Sequence, residues 1–160
     1  MKIHTLEQEQ LLPITLDQAW DFFSAPRNLS QITPPDIGFK IVHQPGERMY
    51  DGQIIVYKIQ VPPGVWVDWV TEIRAVKDRE SFIDEQLHGP YRFWHHYHTF
   101  EETKDGVLMR DLVHYALPFW PVSEIVHSLY VRKKLRQIFD FRKSFLARHF
   151  AQSGCGVPPQ

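Results

Sequence analysis

Asp84, His96, His98 and Asp111 are the residues of this chain whose types and spacing could move a proton. His96 and His98 form a His-x-His pair, and on an extended strand both imidazoles point to one side, because successive side chains alternate faces. A carboxylate beside them would orient one ring and leave the other as acid or base on a carbonyl or enol, the proton transfer that cyclases and dehydratases need. The same groups also suit a hydrogen-bonded network that braces a sheet, and both readings stay open at this point. Two histidines plus a carboxylate could begin a zinc site, but neither a supporting cysteine nor an HExxH helix accompanies them, so no metal and no cofactor is assigned.

The stretch that must position these groups runs from residue 82 to 118 and reads as three consecutive antiparallel strands. Trp94, His96, His98 and Phe100 alternate with Phe93, His95, Tyr97 and Thr99; Asp111, Val113, Tyr115 and Leu117 alternate with Arg110, Leu112 and His114. A two-residue turn at Asp105-Gly106 predicts Phe100 opposite Asp111, His98 opposite Val113, His96 opposite Tyr115 and Trp94 opposite Leu117. Upstream, Asp84 and Gln86 share the same alternation, and a connection through Gly89-Pro90 predicts Asp84 near His98 and Gln86 near His96. One sheet face then holds large apolar residues at its ends and polar ones in its middle. A packed core excludes such a middle, whereas a ligand-filled cavity uses it, since buried polar groups cost a few kcal/mol unless partnered. His95 and His114 fall on the opposite, solvent-facing side.

Composition narrows the function classes. The 160 residues suit one domain, 43% are hydrophobic and 14% aromatic, and 18 basic residues nearly balance 19 acidic ones, which removes the electrostatic case for a general nucleic-acid binder. Cys155 has no second cysteine with which to pair, so nothing calls for an oxidising compartment, and a cytoplasmic location is expected. No run approaches the ~18 apolar residues of a membrane span. No Gly-x-Ser-x-Gly elbow supports nucleophilic hydrolysis.

In chain order, residues 2–12 read as a strand closed by Pro13, and Thr15 precedes a short amphipathic helix carrying Leu16, Ala19, Trp20 and Phe23. A second short helix is expected before Pro34-Pro35. Strands follow at residues 39–43 and 53–61, then at 65–76, where Val65, Val67, Trp69, Thr71, Ile73 and Ala75 share the inner face. After Pro121, with Ser123 as cap, apolar residues Ile125, Val126, Leu129, Leu135, Ile138, Phe139, Phe145, Leu146 and Phe150 recur at helical spacing over one long helix. Its basic residues, Arg132, Lys133, Lys134, Arg136, Arg142, Lys143 and Arg148, are expected on a solvated outer face. Residues 151–160 read as a flexible tail.

This order is α+β: a curved antiparallel sheet of about six or seven strands around a long C-terminal helix, with two short helices between strands 1 and 2. Leu12-Pro13, AWDFFSAPRNLSQITPP, the strand from Gly52 to Tyr57, FIDEQLHGPYRFWHHYHTF, RDLVHYALP and the closing helix resemble the helix-grip superfamily known as START-like, Bet v 1-like or SRPBCC, in its bacterial ligand-binding and polyketide-cyclase-like branch. The resemblance covers residues 1–150 and implies one domain with a deep cavity between helix and sheet. The expected function is binding of a small hydrophobic or aromatic, lipid- or polyketide-like molecule; the alternative is a cyclase- or dehydratase-like enzyme using the His/Asp group. Tyr57, Trp69, Thr71, Gln86, Trp94, His96, His98, Asp111 and Tyr115 are the expected ligand-binding residues, and His96, His98, Asp84 and Asp111 the catalytic candidates. The small molecule is the expected partner; no nucleic acid and no membrane insertion are expected, and a homodimer is compatible with the sequence.

Overall fold

The computed structural model describes residues 1–61, 63–119, 121, 125 and 127–153. Strand β1 (His4–Leu12) leads into helix α1 (Leu16–Phe23); β2 (Phe39–His43), β3 (Gln53–Val61), β4 (Val65–Lys77), β5 (Ser81–His88), β6 (Phe93–Thr103) and β7 (Gly106–Ala116) follow, and α2 (Arg132–Ser153) closes the chain. The strands form one antiparallel sheet in the order β1-β7-β6-β5-β4-β3-β2, so the chain's first strand lies beside its last. Helix α1 starts where Thr15 and Gln18 form a reciprocal capping box, each side chain bonding the other's backbone N–H at 3.2 and 3.0 Å. The second short helix, expected before Pro34-Pro35, is a 3₁₀ helix at Pro26–Ser30, and a further 3₁₀ turn follows at Pro35–Ile37. Prolines at their starts set the turn but leave too few residues for an α-helical ladder.

Two registers differ from expectation by two residues each. Strand β6 meets β7 with His98 opposite Asp111, His96 opposite Val113, Trp94 opposite Tyr115 and Phe100 opposite Met109. The turn residues are Lys104 and Asp105, closed by Thr103, whose Oγ1 donates to the Gly106 carbonyl at 2.9 Å and accepts the Asp105 N–H at 3.3 Å. Gly106 belongs to the strand, and its φ of +129° brings it so near β1 that an added Cβ would stand 2.1 Å from the Leu12 carbonyl oxygen. The glycine serves a close approach between strands rather than the turn itself. Likewise β5 pairs Asp84 with His96 and Phe82 with His98. There Gln86 donates to the Tyr91 carbonyl at 2.8 Å and accepts the Tyr91 N–H at 3.3 Å, which pulls the connection tighter. A shift of two preserves every face, because the side-chain period is two.

The inner face of β4 carries Trp69, Thr71 and Ile73 as expected, but it is interrupted at Ala75, where φ is +51° and the register slips. Val76 then packs on the core while Ala75 and, at the other end, Val65 are exposed. Within the C-terminal segment, a π-helical turn at His127–Val131 precedes α2. The wider turn shifts the helical phase, so His127 within it is buried while Ile125 and Leu129 stand 64% and 75% exposed, outside the buried stripe expected for them. Ser123, Val126, Cys155 and residues 154–160 of the expected tail lie outside the described residues.

The core divides into two apolar clusters. One gathers Leu12, Trp20, Phe23, Phe82, Phe100 and Leu146; the other gathers Trp94, Val113, Tyr115, Leu135 and Phe139. Between them, on three separate elements, polar residues interrupt the apolar series: His96 and His98 on β6, Asp111 on β7 and Arg142 on α2, all buried.

Candidate functional site

That polar layer converges on one carboxylate oxygen. Asp111 Oδ1 accepts the His96 Nε2 hydrogen bond at 2.9 Å, lies 2.8 Å from His98 Nδ1 and stands 3.4 Å from Arg142 Nη2. The His98 contact is close but not aligned as a hydrogen bond. Burial alone would push the Asp111 carboxyl up; Arg142, and then the two histidines, outweigh it and hold it well below the usual carboxylate range. His96 titrates below its ordinary value because burial outweighs the attraction of Asp111. Burial, reinforced by neighbouring His96, takes His98 down to about 3. At neutral pH the layer is therefore an ionised Asp111 facing an ionised Arg142, with two neutral imidazoles bonded or pressed to the same oxygen.

Arg142 overturns one expectation directly. It belongs to the inward stripe rather than to the outer basic face: its side chain is 7% exposed, with Cζ 5.5 Å from the Phe23 ring and 6.0 Å from the Phe139 ring. The signal was present in the spacing, since Leu135, Phe139, Arg142, Leu146 and Phe150 continue one helical stripe. Lys134 also leaves the outer face, bonding Asp36 Oδ2 at 3.1 Å at the pocket rim.

Between α2 and the sheet lies a pocket of about 610 Å³, lined mostly by apolar side chains. Trp69, Trp94 and Tyr91 form one wall, with Trp69 edge-on to Trp94 at 5.1 Å and Tyr91 4.9 Å from Trp94. Tyr57 and Thr71 lie deeper, their hydroxyls 3.4 Å apart, and Asp84, His96 and Arg142 complete the polar end. Asp84 Oδ1, Trp69 Nε1 and Arg142 Nε are buried and have no hydrogen-bond partner among the described residues. Burial pushes the Asp84 carboxyl up to about 7 against the pull of Arg142. Tyr57 is likewise raised, by burial first and then by Asp84.

Of the sequence-selected residues, the pocket brings together Tyr57, Trp69, Thr71, Asp84, Trp94 and His96. His98 and Asp111 stand behind its wall. Gln86 is committed to the Tyr91 backbone, and Tyr115 shares a 2.8 Å hydrogen bond with His127 at the cleft between β1 and α2. His95 and His114 face each other across the other side of the sheet, half-buried rather than fully exposed. Besides Arg142, sequence reasoning missed Leu29, Ile32 and Ile138 as lining, because nothing local marks which apolar residues border a void.

His96, His98 and Asp111 also bring one potential metal-ligating atom each to within 4.8 Å of one another. A divalent ion there would share Asp111 Oδ1 with the Arg142 guanidinium at 3.4 Å, so like charge opposes it. These residues fit an ion-paired network better than a metal centre.

No family model matches the chain, and no curated protein matches it. Solved structures do. TTHA0849 from Thermus thermophilus superposes with a TM-score of 0.72 at 13% identity, over 94% of this chain and 99% of that one. Ara h 8.0201 gives 0.58 at 18% identity over 91% and 98%. The fold is Bet v 1-like. The same helix-grip arrangement is shared with StfQ, a di-domain ARO/CYC from the steffimycin biosynthetic pathway, at a TM-score of 0.69 and 16% identity; 97% of this chain matches 52% of StfQ. A Bet v 1-like sheet accounts for the pocket's place, because curvature holds the strand centres away from the helix that closes over them. No helix among the described residues is long and apolar enough to cross a membrane.

Proposed function

We propose that residues 1–150 act as one ligand-binding domain that takes a small hydrophobic or aromatic, lipid- or polyketide-like molecule into the pocket between α2 and the sheet. One observation carries this reading: a mostly apolar pocket of about 610 Å³ retains three buried polar atoms, on Trp69, Asp84 and Arg142, that have no hydrogen-bond partner among the described residues. Folded proteins pair nearly all such atoms, and small-molecule sites combine apolar walls with a few convergent polar groups. Trp69, Trp94 and Tyr57 supply apolar contact, and Asp84, His96 and Arg142 orient the ligand. His98 and Asp111 act from behind by fixing His96 and Arg142. Native mass spectrometry of the purified protein, with tryptophan emission followed during titration with the apolar dye ANS, tests it. Saturable quenching lost in Trp69→Ala supports the pocket; no change in emission and no bound mass would refute it.

A cyclase- or dehydratase-like activity is the second reading, favoured by Asp84. A carboxyl held near 7 in a pocket wall is matched to proton transfer at neutral pH. Turnover of a poly-β-keto or enone substrate by the wild type, abolished in Asp84→Asn, is the expected result; equal turnover by both proteins would remove it.

A further inference from the structure

At the polar end of the pocket two donors, Arg142 Nε and Trp69 Nε1, and one acceptor, Asp84 Oδ1, are buried with no hydrogen-bond partner among the described residues. A guanidinium has five N–H donors and stays charged at every physiological pH. Among the described residues Arg142, 7% exposed, has one ion pair, at 3.4 Å to Asp111, and its Nε is buried with no hydrogen-bond partner. The Asp111 oxygen that Arg142 faces already accepts from His96 and has His98 pressed against it. The Phe23 and Phe139 rings interact with the charge but accept no in-plane N–H bond. Trp69 Nε1 is a further buried donor with no acceptor among the described residues, and Trp69 and Arg142 both line the pocket.

We propose, resting on the ligand-binding reading above, that the pocket selects amphipathic carboxylates, whose apolar body lies along Trp94 and Ile138 and whose carboxylate accepts hydrogen bonds from Arg142 and Trp69 Nε1. Carboxylates and guanidinium groups match in plane and charge, and such pairs are the strong hydrogen bonds of protein recognition. Charge counting favours a monoanion, because Lys134, the other cation lining the pocket, is already paired with Asp36. Arg142 is already balanced by Asp111, so an added negative charge is tolerated only when Asp84 is neutral, and a dianionic phosphate would exceed that allowance. Arg142 from α2, His96 across the β5–β6 ladder and Tyr57 from β3 are the titratable or charged groups that approach Asp84. A bound carboxylate therefore draws a proton onto Asp84, and affinity falls as pH rises above about 7.

The test uses the full chain with two probes of equal shape, 1-pyrenebutyrate and 1-pyrenebutanol, followed by tryptophan quenching at pH 7.5. The acid is expected to bind about tenfold tighter or better, and Arg142→Met to bring it down to the alcohol's level. Calorimetry of the wild type in phosphate and in Tris needs no variant to fold: the acid takes up a large fraction of a proton, and the alcohol takes up none. Equal or tighter binding of the alcohol overturns the carboxylate inference while leaving the ligand-binding reading intact. Failure of both probes to alter tryptophan emission overturns the two together. Acid preference without proton uptake overturns the role given to Asp84.

Discussion

Replacing Asp111 with alanine should be among the most damaging single changes in this protein. Its side chain is 3% exposed, and one of its oxygens holds His96 at 2.9 Å, His98 at 2.8 Å and Arg142 at 3.4 Å. Asp111→Ala takes away the carboxylate paired with a buried guanidinium, which costs about 3–5 kcal/mol. Orphaning the His96 N–H would by itself cost about 1–3 kcal/mol, but the two losses share one network and overlap rather than add. Against the ~5–15 kcal/mol stability of ordinary domains this is a large fraction. Urea unfolding at pH 7 measures it, with the midpoint shifting at constant slope. The companion Arg142→Met removes the stranded charge, so Asp111→Ala/Arg142→Met should regain at least about half of the loss. A cost below about 1 kcal/mol for Asp111→Ala, or a double variant no more stable than that single one, would refute the network as described.

The remaining predictions concern pH, a strand contact and a pocket donor. Asp84 has a folded-state pKa raised to about 7, so its contribution to stability is full below the unfolded carboxylate value and is lost as pH rises through 7; Asp84→Asn should stabilise the protein by about 1–3 kcal/mol at pH 8 and have little effect at pH 4 in urea titrations. His98, lowered to about 3, takes a proton in the unfolded chain first, so wild-type stability should decline as pH falls from about 6.5, ahead of the decline as Asp111 is protonated. Gly106→Ala should lower stability by more than about 2 kcal/mol in thermal melts, because its Cβ would meet the Leu12 carbonyl at 2.1 Å; an unchanged melting temperature would show that β1 and β7 can separate without loss. Trp69→Phe removes an unpartnered buried N–H, so the ligand-free protein should lose less than about 1 kcal/mol while 1-pyrenebutyrate binding weakens severalfold.

Much of the fold was legible because local patterns carry it. Alternation along Phe93–Thr103 and Gly106–Ala116 gave the strands and their inner faces, and the three- and four-residue spacing from Leu135 to Phe150 gave the helix stripe. Both register expectations were off by two residues, since which residues close a turn depends on Thr103 and Gln86 bonding the backbone of residues beyond them. Of the four acid–base candidates, Asp84 and His96 meet at the pocket, while His98 and Asp111 lie behind it.

Periodicity alone therefore determined which side of β6 and β7 faces inward, for even a register error of two cannot turn a side chain over. It could not determine what each inward group would meet. Arg142 lies 31 residues along the chain from Asp111, counted from their positions, and only the packing of α2 across the sheet made its charge part of the pocket. Coulombic partners and desolvation depend on distances in space, and those are set by tertiary closure rather than by neighbours in sequence.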